Sequence, residues 1–200
     1  MYMGDVKSKT FLDTNASSAT YVAAAAQPTS TFTLANSSFG TNTARKITAT
    51  TAGTSDNGKT ITIVGKDHNN EDATEVITLT GSAETSSGTT TAFLSITSAT
   101  VSAQPAGNVS LGMTADVFGS IFQGRTRVRQ VNAESGGSIG SVLFRNGSLT
   151  GTALLTVRTG ATAGDVNTVN IPQDGILYKD GAFVTFDETQ CNSATVYFDG

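Results

Sequence analysis

A single histidine, His68, and a single cysteine, Cys191, bound the chemistry open to this chain. A Ser-His-Asp or Cys-His relay needs an imidazole to carry the proton, so any such arrangement has to pass through His68. That residue stands in Lys66-Asp67-His68-Asn69-Asn70-Glu71-Asp72, a polar cluster between two β-rich runs that reads as a hairpin loop. The alternating oxygens of Asp67, Asn69 and Glu71 have the look of the start of a calcium loop, yet the glycine and the distant bidentate glutamate of an EF-hand are missing. One thiol has no metal-ligand spacing and no intrachain disulfide partner, so Cys191 reads as a small buried hydrophobe. Asp187 and Glu188 are neighbours, and neighbours on a strand point to opposite faces, which does not build the facing carboxylates of a glycosidase. The segment Glu134-Ser135-Gly136-Gly137-Ser138-Ile139-Gly140 lacks the Lys-Ser/Thr ending of a phosphate loop and precedes a strand, so it reads as a flexible connection. No catalytic residue, metal ligand or cofactor is expected.

One charged pattern has a direction. Arg125, Arg127 and Arg129 alternate, and on a strand that spacing projects all three guanidinium groups from one face. Such a row reads first as a solvated face screened by salt, next as an interface for an acidic protein partner, and last as a nucleic-acid contact. The three arginines are the candidate partner interface. A formal net charge of −4 argues against a general nucleic-acid binder.

The elements that must position these residues are strands. Threonine outnumbers all the charged residues together and recurs in alternating runs cut by Gly, Asn and Asp. The clearest stretch runs from Ala44 to Thr50 and on through Asp56-Asn57-Gly58 to Val64, and it reads as two paired strands joined by an Asn-Gly turn. Further strands are predicted at 31–35, 44–51, 59–64, 74–80, 92–101 and 108–113, then at 125–131, 141–145, 153–158, 167–171, 175–178, 182–186 and 194–198. Residues 1–28 show neither strand alternation nor a helical stripe. The fold class is therefore all-β: two small β-sandwich or barrel-like modules, residues 29–115 and 120–200, preceded by an extended N-terminal arm, residues 1–28. Contacts outside its own module are expected to order that arm.

Charged residues make up 14% of the chain, well below the usual share of about 25%, and Thr, Ser, Ala and Gly fill the difference. Modules of that composition have modest cores, and partners are the expected supplement to their stability. The start, Met1 to Lys7, has no apolar segment of the kind a signal peptide carries, and no apolar run approaches the ~20 residues that span a bilayer. Neither secretion by that route nor a membrane partner is expected.

Two sets of motifs carry a resemblance. Ala44-Arg45-Lys46-Ile47-Thr48, the run from Asp56 to Gly65, Thr74-Glu75-Val76-Ile77-Thr78 and Ala106-Gly107-Asn108-Val109-Ser110-Leu111-Gly112 together resemble a β module of tailed-bacteriophage structural proteins. The ending Asp174-Gly175-Ile176-Leu177-Tyr178-Lys179-Asp180-Gly181-Ala182-Phe183-Val184, with Ala194-Thr195-Val196-Tyr197-Phe198, is similar to the terminal segment of small virion proteins of the same viruses. The resemblance implies a non-enzymatic virion component assembled in the host cytoplasm, foremost a capsid decoration or cement protein. Its partners would be the major capsid protein or other virion proteins, and it would be a homo-oligomer. A neck, tail or fibre component is the alternative within that class. A carbohydrate-binding module is the alternative outside it, although the chain has no Trp and only 4 Tyr to serve as sugar platforms.

Overall fold

A computed structural model of the protein describes residues 5–80 and 86–200. Its strands in chain order are β1 (Val6–Leu12), β2 (Ala23–Ala26), β3 (Ala44–Thr51), β4 (Thr60–Asp67), β5 (Asp72–Thr78), β6 (Ser86–Val101) and β7 (Val109–Phe122). They continue as β8 (Thr126–Ser135), β9 (Gly140–Asn146), β10 (Ala153–Thr159), β11 (Val166–Asn170), β12 (Ile176–Tyr178), β13 (Ala182–Asp187) and β14 (Cys191–Asp199). The pairs β1–β14, β9–β10, β8–β11, β8–β14 and β4–β5 are all antiparallel, and the fold is an all-β, sandwich-like one. The helical segment among the described residues is a short 3-10 turn, Thr54–Asp56, and no helix there is long and apolar enough to cross a membrane.

The chain divides into two units. The central unit holds Asn15–Phe39 and Ala44–Ala115; the C-terminal unit holds the residues up to Thr14, Gly40–Thr43 and Asp116–Gly200. The boundary expected near residues 116–120 falls inside β7, which gives its first half to one unit and its second half to the other.

In the central unit the first half of β7 is followed by β3, β6, β4 and β5, with β2 also paired to β7. Alternation explains the strands: Ile47 and Ala49 of β3 and Ile61 and Ile63 of β4 are fully buried, while the threonines between them are half-buried. Burying each of those isoleucines stabilises the unit by about 1.5–3 kcal/mol. The expected hairpin between β3 and β4 does not form, because β6 lies between them. A type I′ turn needs positive φ at both central residues, and Asn57 has φ −56° while only Gly58 is positive, at +81°. The connection instead closes through the 3-10 turn. The strand expected at residues 31–35 is likewise absent: Thr31 makes one isolated bridge to Thr100, and Phe32 is buried in the core.

The C-terminal unit is a sandwich. One sheet runs β1-β14-β8-β11, with β12 also on β8; the other runs β10-β9-β13 and the second half of β7. Their inner faces share a core that includes Phe11, Phe144, Tyr178, Phe186 and Phe198. Over its described residues, the segment expected to be an extended arm is built into the two units. Val6–Leu12 pairs residue for residue with β14, from Val6 opposite Asp199 to Leu12 opposite Ser193, and buries Phe11 completely. Residues 15–28 belong to the central unit, where Val22 and Ala23 are core residues. Main-chain pairing and one aromatic anchor order the segment, a signal that its polar composition hides.

Candidate functional site

The arginine row lies on β8 and just before it. Thr126 and Val128 point into the core, so Arg127 and Arg129 lie on the outer face, and Arg125 precedes the strand and is exposed. The three side chains then part company. Arg129 meets the Asp199 carboxylate twice, Nη2 at 2.7 Å and Nε at 2.9 Å from Oδ2, and its Nη1 donates to the Gln173 carbonyl at 3.0 Å. The hydrogen bond to Asp199 pushes the Arg129 pKa above its ordinary value, against a smaller opposing effect of burial. Among the described residues Arg127 makes long contacts through Nη1, to the carbonyls of Asp174 at 3.3 Å and Gly175 at 3.4 Å. No ion pair of Arg125 occurs among the described residues.

Arg125 and Arg127 flank a shallow recess of about 220 Å³, lined also by Thr126, Leu177, Asp199 and Gly200. Thr126 Oγ1 donates to the Asp199 carbonyl, which fixes the floor. Asp199 Oδ1 is buried without a hydrogen-bond partner. The candidate interface is thus narrower than three equal charges. Arg129 is neutralised and holds β14 to β8, and Arg125 and Arg127 are the two that can receive a carboxylate.

The other sequence candidates hold their own loops together. Asp67 Oδ1 accepts the amides of Asn69 at 2.8 Å and Glu71 at 2.9 Å, so one oxygen of the suggested calcium loop caps the β4–β5 turn. His68 is half-buried, and burial lowers its pKa against the raising effects of Asp67 and Glu71. No group of three or more His, Cys, Asp or Glu among the described residues could hold a metal ion. Cys191 is fully buried in the C-terminal core, and burial pushes its thiol up to about 12. Asp187 accepts the amide of Thr189 at 2.8 Å and shapes the β13–β14 turn. The Gly-rich segment joins β8 to β9 and is tied down. Ser135 N–H donates to Asp165, Gly136 N–H to Gln190, and Ser135 Oγ to Gly160 at 2.7 Å.

Three residues matter more than the sequence suggests. Asp56, 1% exposed, receives Lys59 Nζ at 2.8 Å and the amides of Ala106 at 2.6 Å and Gly107 at 3.0 Å. Burial alone would raise its pKa; the Lys59 hydrogen bond and the two amides outweigh that and hold it below the usual value. Glu75 reaches from β5 to β6, accepting the amides of Thr90 at 2.6 Å and Thr91 at 2.8 Å, and these bonds lower its pKa against the raising effect of burial. Arg45 is fully buried, with Nη1 on the carbonyls of Thr114 at 2.8 Å and Ala115 at 2.6 Å and Nη2 on that of Asn15 at 3.1 Å. A signal for Arg45 existed: it is in phase with Ile47 and Ala49 on the inward face of β3. Comparison with protein-family models, with curated proteins and with solved structures found no match to this chain.

Proposed function

We propose that this chain is a non-enzymatic structural component of a tailed-bacteriophage virion, a decoration or cement protein that binds the assembled shell as a homo-oligomer. The observation that carries the reading is how its ionisable groups are used. Asp56, Asp67, Glu75, Asp187 and Arg129 are turned onto the chain's own backbone or onto each other's elements, while Arg125 and Arg127 stand over an open recess. Chemistry is directed inward to hold loops, and unbalanced charge is directed outward at a Thr- and Ser-rich β surface. The motifs that resemble phage β modules supply the class of partner, an acidic face of the major capsid protein. Binding to such a shell adds to the folding stability of charge-poor modules.

Immunogold electron microscopy of intact virions, with an antibody to this chain, tests the reading. Label spread over the shell is the expected result. Label confined to the neck, tail or fibres replaces the decoration role by the alternative within the class, and particles without label refute the class. A sugar-array screen with strong, saturable binding would favour the carbohydrate-binding alternative.

A further inference from the structure

The open edges of the sheets are not equivalent. At β1, Leu12 exchanges main-chain hydrogen bonds with Thr41 at 3.1 and 3.0 Å, Asn42 Nδ2 covers the Thr10 carbonyl at 2.8 Å, and Lys7 and Lys9 lie in the strand. At β10 the register breaks between Ala153 and Leu155, and Asn167 Nδ2 covers the Arg158 carbonyl at 2.8 Å. β11 is 5 residues long. Lysines, bulges, side-chain covers and short length are the usual devices that keep an edge from pairing with another chain.

Among the described residues, β5 has none of these. It ends its sheet, pairs with β4 over seven residues without a register shift, and contains neither Pro nor Lys. Two bonds fix which way its backbone faces: Leu79 N–H to the Lys59 carbonyl and Asp67 N–H to the Glu71 carbonyl, both 2.9 Å. Odd-numbered residues therefore turn their main chain to β4, and Asp72, Thr74, Val76 and Thr78 turn theirs to the open side. The side chains of those four are exposed, Val76 at 53%. Both charges of the strand are already answered, Asp72 by Lys66 at 2.8 Å and Glu75 by the Thr90 and Thr91 amides.

We infer that β5 is a self-pairing edge, through which two copies of this chain join as an antiparallel ribbon about a two-fold axis at Val76. The register is self-complementary. Val76 faces Val76 of the second copy and Thr74 faces its Thr78, which makes β-branched pairs at each outward position and about six main-chain hydrogen bonds. The Asp72 carboxylates fall at opposite ends of the ribbon. An acidic peptide would gain nothing from this edge, and no like charges oppose a second copy. Such a ribbon buries less than the roughly 1,200 Å² of a stable pair, so the dimer is weak alone and strengthened where many copies share one surface.

The inference rests on the homo-oligomer part of the proposed function, and the test separates the two. Sedimentation velocity of the full chain up to about 1 mM should show a reversible dimer. Val76 is exposed, so Val76→Lys and Val76→Glu fold; each alone should weaken dimerisation by about tenfold or more by opposing like charges at the axis, and an equimolar mixture should restore it. Amide exchange at Thr74, Val76 and Thr78 should slow as concentration rises. An oligomer that both variants leave intact overturns the β5 edge and keeps the homo-oligomer. A chain that stays monomeric throughout overturns both.

Discussion

Replacing Phe11 with Ala separates a structural β1 from a detachable arm. Phe11 is fully buried in the same core of the C-terminal unit as Val117, Val184 and Val196, and a Phe→Ala change at such a site costs about 3–5 kcal/mol. Its ring occupies the space left by Gly119 on β7: a Cβ there would overlap Cδ1 and Cε1 of the ring and come within 3.1 Å of Val184. Gly119→Ala should therefore destabilise the unit by about 1–3 kcal/mol through overpacking. In the Phe11→Ala background the added methyl instead fills part of the cavity. The double-mutant cycle then has a coupling of about 1 kcal/mol or more in favour of the pair. Urea unfolding gives the free energies, and hydrogen exchange read separately on β14 and on β3 locates the loss, which should fall on β14. A Phe11→Ala cost below about 1 kcal/mol, or single changes that add within about 0.5 kcal/mol, refutes the anchoring.

Asp56 should make the central unit sensitive to acid. Its folded pKa lies below the unfolded value of about 3.9, so its stabilisation is complete above that pH and is lost as the pH falls through the folded value. Asp56→Asn should cost about 1.5–3 kcal/mol at pH 7 and flatten the acid limb of a stability profile measured below about pH 4. Arg125→Gln with Arg127→Gln should weaken attachment to shells by about 2 kcal/mol or more, in a salt-dependent way, and leave the unit folded. Arg129→Gln should loosen β8 from β14 instead; pull-down on particles beside hydrogen exchange tells the two apart. Cys191, with its thiol pushed up to about 12, should react with a thiol reagent at pH 8 only through unfolding, so its labelling rate should rise in Phe11→Ala.

Strands with strict alternation were legible, and those held by pairing alone were not. β3 and β10 stand within a residue of their predicted ends, because β-branched residues cluster there between turn signals. β1 was hidden: Val6-Lys7-Ser8-Lys9-Thr10 shows no apolar face, and pairing with the backbone of β14 together with the buried Phe11 makes it a strand. The strand expected at 108–113 stops short of β7, which runs on to Phe122 through Gly119, where the missing side chain makes room for the Phe11 ring. The partners of β3 were misread because Asn-Gly predicts a local turn, and a 16-residue β6 lying between β3 and β4 leaves no local trace. For the arginine row, spacing alone placed Arg127 and Arg129 on one face. It could not show that Asp199, far along the chain, removes Arg129 from the row.

A shared use of carboxylates links these details. Asp56, Asp67, Glu75 and Asp187 each accept main-chain amides that the regular ladders leave over, in the loop before β7, the β4–β5 turn, the first half of β6 and the β13–β14 turn. A bond from an amide to a charged acceptor is stronger than a neutral one, so a chain poor in charge places its few acids on main-chain donors that no ladder partner takes. Two of the four, Asp56 and Glu75, have pKa values held low by those bonds, which ties the central unit's integrity to a pH above about 4. Glu75 also connects this economy to assembly. Turned inward onto Thr90 and Thr91, it leaves the β5 edge without an outward carboxylate at its centre, and the same residue that steadies β6 leaves Val76 open to a second copy. Glu75→Gln should therefore loosen β6 first, with the Thr90 and Thr91 amides exchanging faster, and leave the register of any β5 pairing unchanged. Exchange rates at those amides equal to wild type would show that the carboxylate does not hold them.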